Sequence, residues 1–113
     1  MREAYFITEF QAGISCRDYF RDTNIPVADR KNMAEKVSVL LQRFFNRQFT
    51  HGDLKASNVM ICGDEAVLID LDSMQAHTQK KAFEQGKEKD VKRFLKNWVG
   101  DEVTTGWFLT LAR

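Results

Sequence analysis

Apolar residues recur at intervals of three and four positions along one long segment of the chain, from Arg30 to Arg47. The residues that set this spacing are Met33, Val37, Leu40, Leu41, Phe44 and Phe45. Such spacing places them on one face of an α-helix. Asp29 lies just before the segment and is a suitable N-cap residue. We therefore predict the longest helix of the chain here, and we interpret its apolar face as core packing rather than as a groove for a partner.

Two short apolar runs in the middle of the chain predict a β-hairpin. The first covers Val59 to Cys62, the second covers Ala66 to Ile69, and Gly63-Asp64-Glu65 lies between them. Glycine and aspartate favour tight turns, and apolar runs of this length are typical of strands. A polar segment, Thr50 to Asn58, precedes the hairpin, and Asp70-Leu71-Asp72 follows it. The hairpin therefore joins two polar loops.

The two ends of the chain carry weaker signals. Tyr5 to Phe10 is rich in aromatic and β-branched residues, as a short strand is, and Cys16 to Arg21 can form a short helix. Beyond the hairpin, polar sequence extends to about Gly86. We predict a last helix from Glu88 to Trp98, with Gly100 where a C-terminal cap is expected.

Length and composition fit one α+β domain over residues 1–113. Hydrophobic residues make up 43% of the 113 positions, and nine Phe with two Trp and two Tyr can fill a core. The formal net charge of +1 argues against a general nucleic-acid binder. We expect no signal peptide and no membrane-spanning helix. Cys16 and Cys62 fit neither a CxxC motif nor a metal spacing, so we expect reduced, buried thiols.

Three oxygen-bearing side chains lie at the edges of the predicted elements. Asn58 stands where the hairpin begins, Asp70 stands where it ends, and Asp53 lies in the loop before it. Because proteins hold Mg²⁺ with one or two carboxylates together with substrate phosphates, Asn58 and Asp70 form a credible metal–phosphate clamp. Asp53 is then a separate carboxylate that can orient an attacking hydroxyl group. Lys55 supplies a cation that can meet a phosphoryl group in transfer.

The same residues resemble two loops of the kinase superfamily. The catalytic-loop pattern H-x-D-L-x-x-x-N matches the segment from His51 to Asn58, and the metal loop D-F-G is similar to Asp70-Leu71-Asp72. The order of the loops, the offset from Asp53 to Asn58 and the intervening hairpin all agree. Each short motif is weak by itself, whereas the combination after a long amphipathic helix is specific.

Details of these loops resemble sugar and other small-molecule kinases more than protein kinases. Gly52 stands where many protein kinases have an arginine that engages a phosphorylated activation loop, and Asp72 stands where a glycine is usual. The stretch from Ser73 to Lys89 is short and has no A-P-E motif. From Tyr5 to about Trp98, the chain is most similar to the lipopolysaccharide core kinases, which phosphorylate 3-deoxy-manno-octulosonic acid or heptose.

This resemblance implies a fold, two cofactors and a role for each loop residue. The fold would be the large, C-terminal lobe of a kinase, mainly helical with a short β-hairpin that bears both loops. The cofactors would be ATP and Mg²⁺, with Asn58 and Asp70 as the metal ligands. Asp53 would be the catalytic base or hydroxyl-orienting residue, and Lys55 would contact the γ-phosphate.

Other positions and partners follow from the same resemblance. Tyr5 to Phe10 looks like the segment between the kinase lobes, so the backbone at Glu9 and Phe10 is expected to bind adenine. Asp90 resembles the buried aspartate that holds the catalytic loop in shape. His51 is expected to bond the loop backbone rather than to act as a base. The expected substrate is a small-molecule or glycolipid sugar, and the expected location is the cytoplasm, with peripheral contact at the inner face of the inner membrane.

Several residues have plainer interpretations. His77 stands alone in a polar stretch, so we expect it to be solvated. Asp72 could be a second metal ligand, a capping residue or a surface residue. Trp98, Trp107 and Phe108 are apolar enough to require burial, and we expect self-association if they stay exposed. We interpret the many lysines after position 80 as a solvated face rather than as a contact for anionic lipid.

The resemblance begins at the segment between the lobes. The glycine-rich loop and the strand lysine of a kinase small lobe are therefore not found in these 113 residues. We expect the chain to be catalytically incomplete as it stands, with a partner chain as one source of the missing lobe. Two alternatives stay open: a non-catalytic pseudokinase or binding module, and a fragment of an aminoglycoside- or choline-type phosphotransferase.

Overall fold

The computed structural model describes residues 13–112 of the chain. Its strands are β1 (Ile14–Ser15), β2 (Phe49–Thr50), β3 (Val59–Cys62), β4 (Glu65–Leu68) and β5 (Gln75–Ala76). Its α-helices are α1 (Cys16–Arg21), α2 (Val27–Asn46), α3 (Lys80–Leu95) and α4 (Glu102–Phe108), and short 3₁₀ helices cover Ala56–Asn58, Lys96–Trp98 and Leu109–Ala112. This mixture confirms the predicted α+β class and the short helix α1. The strand predicted for Tyr5 to Phe10, with Glu9 in it, lies outside the described residues.

Helix α2 confirms the amphipathic pattern and begins earlier than predicted. Its buried residues are Met33, Ala34, Val37, Ser38, Leu40, Leu41, Phe44 and Phe45, so the predicted apolar face lies against the core. The helix begins at Val27 because Pro26 is its N-cap, and the carbonyl of Pro26 accepts a hydrogen bond from the N–H of Arg30 at 3.0 Å. Asp29, the predicted N-cap, instead lies in the first turn, where a negative charge favours the helix N-terminus.

The predicted hairpin is present as β3 and β4, which pair antiparallel from Val59–Leu68 to Cys62–Glu65. Its turn therefore consists of Gly63 and Asp64. Gly63 has a φ of 61°, a left-handed conformation that glycine adopts without strain. Strand β1 pairs with the other edge of β3 and completes a three-stranded sheet. This sheet contacts both α1 and α2, so the hairpin is anchored to the helical part of the molecule.

A second, two-stranded sheet is absent from the sequence-based prediction. Strand β2 pairs antiparallel with β5, so that Phe49 lies opposite Ala76 and Thr50 lies opposite Gln75. Each strand has two residues, which is too few to show an alternating pattern in the sequence. The sheet joins the chain just before the polar loop at 51–58 to the chain just after the loop at 70–72.

The helix predicted from Glu88 begins eight residues earlier, at Lys80. Gly86, to which the polar sequence after the hairpin extends, lies inside α3, where an added Cβ would be 2.8 Å from Cγ2 of Thr50. A glycine therefore stands at this position because β2 approaches α3 closely, and not because the helix ends there. Gly100 has a φ of 91°, as expected for a residue that terminates helical structure.

Aromatic rings form a cluster where α1, α3 and α4 meet. Its fully buried members are Phe20, Phe94, Trp98 and Phe108. The ring centroids of Phe94 and Phe108 are 4.9 Å apart at an interplanar angle of 82°, which is a favourable edge-to-face contact. The predicted burial of Trp98 and Phe108 is confirmed, and Trp107 packs partly buried against the core. The condition stated above for self-association is therefore not met by these rings.

The two cysteine thiols differ in their burial. Cys16 and Cys62 are free thiols, and Cys62 is only partly buried, in contrast to the prediction. Burial raises the pKa of the Cys16 thiol well above its usual value.

None of the helices between residues 13 and 112 is long and apolar enough to cross a membrane.

Candidate active site

The polar loop after β2 is held by one buried carboxylate. Asp90, on α3, is 2% exposed and accepts hydrogen bonds from the N–H of His51 at 2.6 Å and from the N–H of Gly52 at 3.0 Å. Each carboxylate oxygen therefore binds one backbone donor. Burial raises the pKa of Asp90 above its ordinary value, and the two N–H donors oppose that rise. The predicted contact between Asp90 and the loop is confirmed.

His51 ties the same loop to the end of the hairpin. Its side chain is fully buried, its Nε2 lies 2.9 Å from the carbonyl oxygen of Ile69, and its Nδ1 accepts the N–H of Asp53 at 3.2 Å. The neutral tautomer with its proton on Nε2 satisfies both bonds. Both ring nitrogens thus bond backbone groups, one in the loop and one at the end of the hairpin, which confirms the structural role predicted for His51.

The amide side chain of Asn58 connects the loop to the first strand of the hairpin. Its Nδ2 donates to the carbonyl oxygen of Asp53 at 2.8 Å, and its own backbone carbonyl accepts the N–H of Ile69 at 2.9 Å. Among the described residues, Oδ1 of Asn58 has no hydrogen-bond partner. Since the amide nitrogen holds the loop, Oδ1 is the atom of this buried side chain, which is 5% exposed, that would act as a metal ligand.

Asp70 follows Ile69 at the other end of the hairpin. It is exposed and has a φ of 56°, in a region that non-glycine residues rarely occupy and that aspartate tolerates better than most. The pairing of Val59 with Leu68 places Asn58 and Asp70 at the same end of the hairpin. The two predicted metal ligands are therefore brought to one edge of the sheet.

Asp53 and Lys55 lie on the accessible part of the loop. Their side chains are 46% and 40% exposed, and Nζ of Lys55 is 3.7 Å from Oδ2 of Asp53. An ion pair this long and this exposed contributes little to stability. Both groups therefore remain accessible to a substrate while they lie next to each other.

The loop after Asp70 packs directly on Gly52. Gly52 has a φ of 89°, and an added Cβ would lie 2.8 Å from Cβ of Ser73 and 2.9 Å from its carbonyl oxygen. A glycine at this position is therefore required both by the backbone conformation and by the close approach of Ser73. Asp72 is exposed in the turn beside Ser73 and makes no hydrogen bond or ion pair among the described residues.

His77 corrects one of the sequence-based interpretations. Instead of being solvated, it is partly buried, and its Nε2 lies 2.7 Å from Oγ1 of Thr50. The ring also contacts Phe83 on α3, with centroids 6.1 Å apart. A sequence gives little sign of such a contact, because the pairing of β2 with β5 that creates it rests on two-residue strands.

The donor set at the end of the hairpin fits a magnesium ion that also binds phosphates. Asn58 supplies an amide oxygen and Asp70 supplies an exposed carboxylate, which are the hard oxygen ligands that Mg²⁺ prefers. Within residues 13–112, no cluster of three or more His, Cys, Asp or Glu side chains could hold a metal ion. Asn58 and Asp70 alone are too few to fill the octahedral shell of Mg²⁺, so an ion held by them would take its other ligands from phosphate or water oxygens.

A cavity of about 880 Å³ lies elsewhere, along α3. Its apolar wall contains Phe83, Val91, Leu95 and Leu111, and lysine and glutamate side chains of α3 form its rim. No residue from 51 to 72 lines it. The cavity is therefore separate from the candidate active site.

Asp90 holds the loop at 51–58 beside the hairpin end, where Asn58 and Asp70 supply oxygen atoms of the kind that bind Mg²⁺ together with phosphates. The lipopolysaccharide kinase (Kdo/WaaP) family matches residues 1–107 of the sequence, so the chain belongs to that family. The resemblance drawn from the two loops is confirmed. No curated protein matches the chain closely enough to add a relative to this comparison.

Proposed function

We propose that this chain carries the catalytic and metal loops of an ATP-dependent phosphotransferase of the lipopolysaccharide inner-core sugar kinase type. The reaction transfers the γ-phosphate of ATP to a hydroxyl group of the sugar. The observation that supports this proposal most is the clamp of Asp90 on the loop at 51–58, because it holds Asp53 beside the hairpin end that carries Asn58 and Asp70. Membership of the lipopolysaccharide kinase family supports the same conclusion.

Four residues of the candidate site act in the proposed reaction. Asp53 orients the sugar hydroxyl and accepts its proton as the sugar oxygen bonds to the γ-phosphorus and the bond from that phosphorus to ADP breaks. Lys55 lies beside Asp53 and stabilises negative charge on the phosphoryl group. Asn58 and Asp70 would hold Mg²⁺, which when bound neutralises charge on the phosphate oxygens.

The remaining assignments come from the family. The backbone at Glu9 and Phe10 binds the adenine ring, and the fold is that of a kinase C-terminal lobe. The acceptor is 3-deoxy-manno-octulosonic acid or heptose in a glycolipid, which suits a reaction in the cytoplasm at the inner face of the inner membrane. These assignments extend the proposal to the whole reaction.

A phosphotransfer assay tests the proposal. The intact gene product is incubated with labelled ATP, Mg²⁺ and acceptors that carry either sugar. We expect Asp53→Asn to lower kcat by ~10²- to 10⁴-fold with an unchanged unfolding temperature. Asp64→Asn, a matched change in the exposed hairpin turn, should have no effect. Activity that survives Asp53→Asn would show that the catalytic assignment is wrong.

One observation favours a second candidate function, a non-catalytic binding module. The hydrogen bonds of His51, Asn58 and Asp90 tie the loop to α3 and to the hairpin within the chain itself, so the loop residues can serve a structural role as well as a catalytic one. A module of this kind would bind nucleotide and show no turnover with any acceptor. Binding that persists alongside a complete lack of phosphotransfer would favour this second function.

A further inference from the structure

His77 links two parts of the candidate site that are separate in sequence. Its Nε2 lies 2.7 Å from Oγ1 of Thr50, and its backbone N–H donates to the carbonyl oxygen of Gln48 at 2.9 Å. The residues just before it pair with β2 as strand β5. His77 therefore closes the segment that follows Asp70 onto the strand that leads into the loop at 51–58.

Thr50 has little freedom to move away from this contact. It is 4% exposed, and an added Cβ at Gly86 would lie 2.8 Å from its Cγ2 and 3.3 Å from its Oγ1. Helix α3 therefore confines the side chain on one face, and His77 binds its hydroxyl group. Thr50 is followed directly by His51, whose N–H is donated to Asp90. A displacement of Thr50 would thus be transmitted to the first bond of the clamp.

The ring of His77 is itself fixed. Its centroid lies 6.1 Å from that of Phe83, with the two ring planes at 62°. Phe83 is 8% exposed and belongs to α3, the same helix that carries Asp90. The histidine is therefore held by ring packing and by its backbone bond, so that its Nε2 is presented to Thr50 in one orientation.

We propose that His77 is a positioning residue for phosphotransfer, which acts through the hydroxyl group of Thr50 to set the catalytic loop relative to the segment that carries Asp70. Its catalytic consequence rests on the proposed function. The coupling between His77 and the loop is a property of the chain and is testable without any substrate.

The coupling is tested by amide hydrogen exchange at His51 and Gly52, the two donors to Asp90. His77→Phe keeps an aromatic ring and loses the bond to Thr50, whereas His77→Gln keeps a hydrogen-bonding group near the position of Nε2. Because one hydrogen bond contributes about 1 kcal/mol, we expect exchange at these two amides to be about fivefold to tenfold faster in His77→Phe and close to wild type in His77→Gln.

Two further variants separate coupling from a general loss of stability. Asp101→Ala removes the N-cap of α4, whose carboxylate bonds Thr104 and not the loop at 51–58, and so lowers global stability. It should not accelerate His51 and Gly52 beyond the other core amides. In a Thr50→Val background, His77→Phe should add no further acceleration. If His77→Phe accelerates His51 and Gly52 no more than the other core amides, as expected for Asp101→Ala, or leaves their exchange unchanged, the proposal is overturned.

The catalytic consequence is measured in the intact gene product. We expect His77→Phe to lower kcat about fivefold to tenfold with little change in the KM for ATP, and His77→Gln to restore most of the rate. Equal rates in wild type and His77→Phe would overturn the catalytic part. If the wild type shows no phosphotransfer, the proposed function fails, and the exchange experiment still decides whether His77 positions the loop.

Discussion

The loop at 51–58 and the aromatic cluster around Phe108 are built on different principles. The loop is polar, and a small number of directed hydrogen bonds to Asp90, His51 and Asn58 hold it. The cluster has many ring contacts, and no single contact determines its geometry. Loss of one bond in the loop should therefore displace the loop residues as well as lower stability, whereas loss of one ring in the cluster should mainly lower the stability of the whole chain.

The largest effect is expected in the aromatic cluster. Phe108 is fully buried and packs against Phe20, Phe94 and Trp98. We expect Phe108→Ala to lower the free energy of unfolding by about 3–5 kcal/mol, since it removes a large buried ring and leaves a cavity. Denaturant unfolding measures this change. Val99→Ala, at a side chain that is 83% exposed, is the control and should change stability by less than about 0.5 kcal/mol.

The next effect concerns the clamp. Asp90→Ala leaves the N–H groups of His51 and Gly52 without their acceptor, and we expect a loss of about 2–3 kcal/mol in the free energy of unfolding. Asp90→Asn retains one acceptor oxygen and should lose less. If Asp90→Ala unfolds at the same denaturant concentration as the wild type, the clamp does not stabilise the loop.

A polar group in the aromatic region sharpens the comparison. Asp101 caps α4, and its carboxylate accepts bonds from the N–H and the hydroxyl group of Thr104 at 3.0 Å and 2.6 Å. We expect Asp101→Ala to lower the free energy of unfolding by about 1 kcal/mol, as is usual for an N-cap. Those bonds hold the pKa of the Asp101 carboxyl group below its ordinary value. The stability that the carboxylate contributes should therefore be lost as the pH falls through its pKa in the folded chain. If Asp101→Ala loses as much stability at low pH as at neutral pH, this explanation is wrong.

The smallest expected effect is the contribution of Asp90 to the pH dependence of the free energy of unfolding. Burial raises the pKa of its carboxyl group, so the folded chain keeps the proton to a higher pH than the unfolded chain does. The free energy of unfolding should therefore fall as the pH rises from about 3.9, the ordinary aspartate value, through the folded-state pKa. Unfolding of wild type and Asp90→Asn across this range measures the difference. If the wild type gains stability relative to the variant as the pH rises, the sign is wrong.

The two regions also differ in how well they can be predicted from the sequence. The apolar face of α2 follows from periodicity, because residues three and four apart share a helix face. The start of α3 cannot be predicted from such a pattern. Gly86 looks like a helix breaker in its local sequence, whereas a glycine stands there because Thr50 of β2 approaches α3 closely. Local patterns cannot report a contact between residues so far apart in sequence.

In the candidate site, the identities of the residues are easier to predict than their connections. The motif at 51–58 and Asp70 can be recognised in the sequence because the functional groups of these loops stand at fixed intervals along the chain. The contact of Asp90 follows only from the family resemblance. The bond between His77 and Thr50 follows neither from the motif nor from the resemblance, because it depends on the pairing of two strands of two residues each.

The most direct test of the account is calorimetric titration of the chain with ATP, with and without Mg²⁺. The proposed function requires that Asn58 and Asp70 form a metal–phosphate site at the end of the hairpin. We expect binding that depends on Mg²⁺, weakens at least about tenfold in Asp70→Asn, and is unchanged in the matched turn variant Asp64→Asn. Binding that is indifferent to Mg²⁺ or equal in Asp70→Asn and wild type, or no binding by the folded wild-type chain, would contradict the claim.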